Sequence, residues 1–153
     1  MTRRGAGVSL LVLVVITLGL AACATTGDAP ATPSLYKRLD GREGIAGIVD
    51  AFVANALADP RIGPAFKALP GARVGPLKTN IADFICENTG GPCSYGGRTM
   101  KESHRGLGLE KADFDACNAA LAKALDGKNV PAADKEQVMK LVASLMNDIV
   151  EKR

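Results

Sequence analysis

The sequence has one histidine, no tryptophan, and only four phenylalanines and two tyrosines among 153 residues. A lone histidine, His104, excludes any metal site built from two or more histidines of one chain. With so few aromatics, aliphatic side chains and alanine must form the core. A surplus of one charge is also missing. Nineteen basic residues face sixteen acidic ones, for a formal charge of +3. That balance argues against nucleic acid as a partner, which calls for concentrated positive charge. Hydrophobic residues at 47% and charged ones at 23% exclude a disordered or low-complexity chain. The length suits one domain and hardly two.

Part of the hydrophobicity belongs to the N-terminus. Arg3 and Arg4 precede an uncharged apolar run over residues 8–22, and Cys23 follows it directly. The run is shorter than the ~20 residues that a spanning helix needs, and it reads as a bacterial secretion signal. Leu20-Ala21-Ala22-Cys23 resembles a lipobox, in which small residues precede a cysteine that is lipidated and becomes the first residue of the mature protein. An uncleaved anchor or a simple secretion signal is the alternative. Residues 1–22 are thus expected to be a lipoprotein signal peptide and residues 23–33 a flexible tether of small residues and proline. Residues 34–153 form the domain. Loss of Arg3 and Arg4 would lower the formal charge from +3 to +1. The expected location is the outer side of a bacterial membrane, periplasmic or cell-envelope, held by lipid.

From Ser34 onward the apolar residues keep helical spacing. Ile45, Ile48, Val49, Phe52, Val53, Ala56 and Leu57 define one face of a helix stopped near Asp59-Pro60. Leu77, Ile81, Phe84 and Ile85 define a second, with Pro76 in its first turn and Gly90-Gly91-Pro92 at its end. Phe114, Cys117, Leu121, Ala124 and Leu125 mark a third, ended at Gly127. Val138, Leu141, Val142, Leu145 and Ile149 mark a fourth, with Pro131 at its start. No stretch alternates long enough to argue a strand. The pattern predicts an all-α domain with bundle or globin-like packing. Between the second and third helices, residues 89–108 form a Gly-rich stretch that holds His104.

That stretch reads Gly90-Gly91-Pro92, then Tyr95-x-Gly97, then Met100-Lys101, then His104 three residues after the lysine, then Gly106. It resembles the surroundings of the proximal histidine in group 1 truncated haemoglobins. Leu35-Tyr36 through Gly44-Ile45 resembles the opening of that family. Leu57-Ala58-Asp59-Pro60-Arg61-Ile62, followed by Phe66, resembles the end of its helix B and its haem-packing phenylalanine. The resemblance covers residues 34–150. It implies a two-over-two α-helical sandwich and haem b with iron as the cofactor. It makes His104 the metal ligand and puts Met100, one turn earlier, against the haem. Phe52, Val53, Phe66, Leu77, Ile81, Phe84 and Phe114 then line the pocket. Arg98 and Lys101 are candidate partners of the haem propionates, with a solvated basic surface as the alternative. An axial imidazole is the usual globin choice, and a single histidine cannot supply two such ligands.

The sequence departs from the family on the distal side. Members commonly carry a tyrosine on helix B and a glutamine on helix E, where this chain has Val53 and Ile81, and Leu77 is apolar as well. None of the three can hydrogen-bond to bound oxygen. Weak oxygen retention and easier oxidation to ferric haem follow as expectations, with CO binding little affected. Asn80 and Thr79 are polar neighbours that would change this if the helix were rotated.

Three cysteines remain besides Cys23. Cys86 and Cys93 lie seven apart, and in an oxidising compartment a disulfide would clip the second helix to the Gly-rich stretch. Two reduced thiols are the alternative. Cys117 lies on an apolar helix face and reads as a small buried hydrophobe, with thiolate ligation of haem as a lesser alternative. The leading functional class is a haem protein binding O2, NO or CO, served by a reductase or other redox partner. A non-enzymatic gas binder is favoured. NO dioxygenase activity would need stable oxygen binding and a reductant, and peroxidase-like activity lacks an evident distal acid–base group. The other class is a helical lipoprotein interaction module that has lost haem.

Overall fold

The computed structural model describes residues 32–152. The leader, Cys23 and all of the tether except Thr32 and Pro33 lie outside the described residues. Eight helices are present there: α1 (Leu35–Arg38), α2 (Gly41–Ala58), α3 (Gly63–Lys67), α4 (Gly71–Asn88), α5 (Met100–His104), α6 (Lys111–Gly127), α7 (Ala132–Ala143) and α8 (Met146–Ile149). The described residues contain no strand, only an isolated bridge between Glu110 and Lys152.

The four long helices carry the four apolar faces read from the sequence. α2 packs most extensively against α6 and α4, and α6 also meets α7. Their buried faces meet in one core of Leu39, Ile45, Ile48, Val49, Val53, Ile85, Cys86, Leu121, Leu125 and Val138. No aromatic ring belongs to that fully buried set. Phe52 and Ile81 pack against it, while Ala56, Ile62 and Ala120 form a smaller cluster contacted by Phe52, Phe66 and Cys117.

The short helices are held by polar ends. Tyr36 N donates to the Thr89 carbonyl at 2.8 Å, tying α1 to the end of α4. Arg38 reaches the buried Asp134 of α7 at 2.8 Å. The chain then reverses into α2 through Asp40 and Gly41, both at positive φ. Gly44 is required beside this turn, because a Cβ there would stand 2.0 Å from the Leu39 carbonyl oxygen. Asp59 Oδ1 accepts from Arg61 N and Ile62 N, which ends α2 and leads into α3.

Two expectations need correction. α4 starts at Gly71, so Pro76 lies inside it and not in its first turn. A proline there removes one hydrogen bond, to the carbonyl four residues earlier, and the exposed opening turn tolerates it. The fourth helix is two pieces, broken at Ser144-Leu145. Both residues keep right-handed helical backbone angles, so the apolar spacing runs across the break unchanged. The Gly-rich stretch contains the short helix α5.

Candidate functional site

α5 ends on His104 and is built by local capping. Thr99 Oγ1 accepts from Glu102 N at 3.2 Å, and the Glu102 carboxylate accepts in return from Thr99 N at 3.2 Å. This reciprocal pair satisfies donors that a helix start leaves free. The Thr99 hydroxyl, which donates to the same carboxylate at 2.7 Å, and the Thr99 N–H together hold the Glu102 carboxyl below its ordinary range. Five residues then place the half-buried His104 one turn after Met100.

His104 Nδ1 lies 2.8 Å from the Met100 carbonyl oxygen, and Ser103 Oγ lies 3.2 Å from the same nitrogen. A carbonyl only accepts, so Nδ1 carries the hydrogen and donates it. The lone pair is therefore on Nε2, which makes no hydrogen bond among the described residues. An imidazole fixed through one nitrogen with the other free is suited to metal ligation. Sequence reasoning placed Met100 near the site as a side chain, yet its carbonyl is what orients the ring. Ser103 and the Thr99–Glu102 pair were missed, although Thr-x-x-Glu ahead of His104 is a readable capping signal.

The apolar candidates fall into local groups. Phe52 and Phe66 meet edge to face at 6.1 Å, and Phe84 meets Tyr95 in the same manner at 5.4 Å. Phe52, Phe66, Leu77, Ile81, Phe84 and Met100 are all only half-buried. A flat apolar ligand lying against them would remove this remaining exposure from water. Val53 and Phe114 are fully buried, at 3% and 6% exposure. Thr79 is exposed, its hydroxyl bonded to the Gly75 carbonyl, and Asn80 is exposed too. Arg98 and Lys101 are exposed, with no carboxylate at ion-pair distance among the described residues. The described residues hold no cluster of three or more His, Cys, Asp or Glu able to bind a bare metal ion.

The cysteines divide by environment. Cys86 and Cys93 are joined in a disulfide with Cα atoms 5.8 Å apart. It ties the last turn of α4 to the segment leading to α5. Cys117 is free, and burial together with the nearby Asp113 and Asp59 pushes its thiol up to about 11. That environment disfavours the thiolate that iron ligation by Cys117 would need.

Residues 34–151 match the family described as bacterial-like globin. The chain belongs to the bacterial-like globin family. It is 30% identical over 116 residues to the group 1 truncated hemoglobin GlbN of Mycolicibacterium paratuberculosis, covering 76% of this chain and 83% of that one. The crystal structure of truncated hemoglobin from Tetrahymena pyriformis in the Fe(III) form superposes with a TM-score of 0.72 at 28% identity, covering 78% of this chain and 100% of that one. The 2/2 hemoglobin of a Synechococcus species, solved in the cyanomet state with covalently attached heme, gives 0.70 at 28% identity with the same coverage. The fold of this globin is the two-over-two helical sandwich of truncated haemoglobins. Its cofactor is haem with iron, and its function is haem-based binding of gases such as O2. The free Nε2 of His104 and the half-buried apolar side chains fit that group.

Proposed function

We propose that His104 is the axial ligand of the haem iron and that the opposite, gas-binding side is apolar. The observation that carries this is the Met100 carbonyl bond at 2.8 Å, which fixes the ring and leaves Nε2 free. Haem supplies the iron at which the gas binds. The chain supplies the imidazole and a water-poor surround from Phe52, Val53, Phe66, Leu77, Ile81, Phe84, Met100 and Phe114. Val53, Leu77 and Ile81 offer no hydrogen bond to a diatomic ligand, so O2 is retained weakly while CO, which depends less on such a bond, is held normally. NO is a further ligand of the same site. Arg98 and Lys101 would pair with the haem propionates when the group is bound, and a reductase or other redox partner would serve the site. The apolar run ending at Cys23 supports export and lipid anchoring on the outer side of a bacterial membrane.

The test is the absorption spectrum of the purified protein with added haem, beside that of His104→Ala. The wild type should show an intense Soret band and an imidazole-ligated spectrum, which the substitution abolishes or alters strongly. An identical ligation spectrum in both proteins would remove His104 as the ligand. Failure of the wild type to take up haem would favour the interaction-module reading.

A further inference from the structure

We propose that Glu151 is a positioning residue for His104, its carboxylate fastening the loop that leaves the histidine. This rests on the reading of His104 as the iron ligand. α5 has five residues, too few for a helix to persist by itself, so its position is set by its packing against α8 and by what holds its two ends. The Thr99–Glu102 pair holds the first end. At the second, the chain leaves helical geometry at Arg105 and passes through Gly106 at φ +81° and Gly108 at φ +64°. These are conformations that favour glycine.

Both glycine amides end on one side chain. Gly106 N donates to Glu151 Oε1 at 2.7 Å, and Gly108 N donates to Glu151 Oε2 at 2.6 Å. Glu151 N and Lys152 N in turn donate to the Leu109 carbonyl at 2.9 and 3.1 Å. The two glycine bonds, aided by Lys152 and Arg105, hold the Glu151 carboxyl below its ordinary range, so it is ionised at neutral pH. Apolar burial does not fix the loop, because Leu107 is 62% exposed. Between Gly106 and Gly108 the other backbone bond is Leu107 N to the His104 carbonyl, which belongs to α5 itself. Glu151 therefore fastens the loop that follows the histidine's helix.

The experiment uses the full chain loaded with haem. Two readouts are taken: the rate of haem transfer to an acceptor apoprotein, and the iron–imidazole stretching band of the ferrous protein. Glu151→Ala should lose haem about tenfold faster, the low end of what removal of an outer-shell partner costs. Its stretching band should shift or broaden. Glu151→Gln keeps one accepting oxygen and should fall between Ala and the wild type. Asp134→Ala breaks the distant pair with Arg38, and should lower stability while leaving the band in place.

A Glu151→Ala protein with wild-type haem loss and an unmoved band overturns the proposal. So does equal movement of both readouts in Asp134→Ala, which would make Glu151 merely structural. If Glu151→Ala does not fold, Glu151→Gln decides by the same readouts. A band absent from the wild type, or surviving in His104→Ala, overturns the ligand reading and this proposal with it. A band lost in His104→Ala but unmoved in the Glu151 variants overturns the Glu151 role alone.

Discussion

Val53→Tyr tests the proposed apolar gas-binding side most directly, because it places a hydrogen-bond donor at one of its positions. A hydrogen bond to a ligand in a dry pocket contributes about 1–3 kcal/mol. That corresponds to roughly fivefold to hundredfold slower O2 dissociation, since 1.4 kcal/mol is a factor of ten. The structure also sets a cost. Val53 is 3% exposed and packs in the core with Ile48 and Val49 of its own helix. A larger side chain in a filled core typically costs ~1–3 kcal/mol of stability. Phe52 and Ile81, only half-buried, pack against this cluster. Val53→Phe carries the same ring without the hydroxyl, so the Tyr-to-Phe ratio isolates the hydrogen bond from the change in volume. O2 dissociation is followed by rapid mixing with CO, with denaturant unfolding run in parallel. Tyrosine should dissociate at least fivefold more slowly than phenylalanine. Equal rates in two folded proteins would refute the argument that Val53 faces bound gas.

The helical frame was largely legible because apolar periodicity reports burial directly. The face Ile45, Ile48, Val49, Val53 and Ala56 is the buried face of α2. Boundaries were less legible where local rules compete. Pro76 reads as a helix start, yet one missing bond does not prevent the chain from entering α4 five residues earlier. The break at Ser144 is invisible to periodicity because the turn keeps helical angles. The candidate site was legible only as residue types in sequence order: the lone histidine and the apolar side chains proposed to line the pocket. Its supporting bonds were not. A backbone carbonyl from Met100 and a carboxylate 47 positions beyond His104 in the chain leave no local pattern. Val53 illustrates a third limit: side-chain type predicts an apolar position, while its near-complete burial depends on packing from α4 and α6.

Two further predictions concern the cysteines. Cys117, its thiol raised from 9.0 to about 11, should have roughly a hundredfold lower thiolate fraction near pH 8 than an ordinary cysteine, and should alkylate correspondingly slowly until pH rises towards 11. Labelling with iodoacetamide over pH 7–10, native against unfolded, measures it, and equal rates would contradict the buried environment. The Cys86–Cys93 bridge closes a loop of sequence separation 7, so the chain-entropy model limits its contribution to about 2 kcal/mol. Reduction should therefore lower unfolding stability by about that amount without unfolding the protein, because Cys86 remains packed in the aliphatic core. Cys93→Ala should lose a similar amount and become insensitive to reductant, whereas replacing Cys86 costs more by opening the core as well. Denaturant unfolding with and without dithiothreitol separates these cases. If the wild type were equally stable under both conditions, the bridge would have no part in holding the end of α4 to the segment that leads to His104.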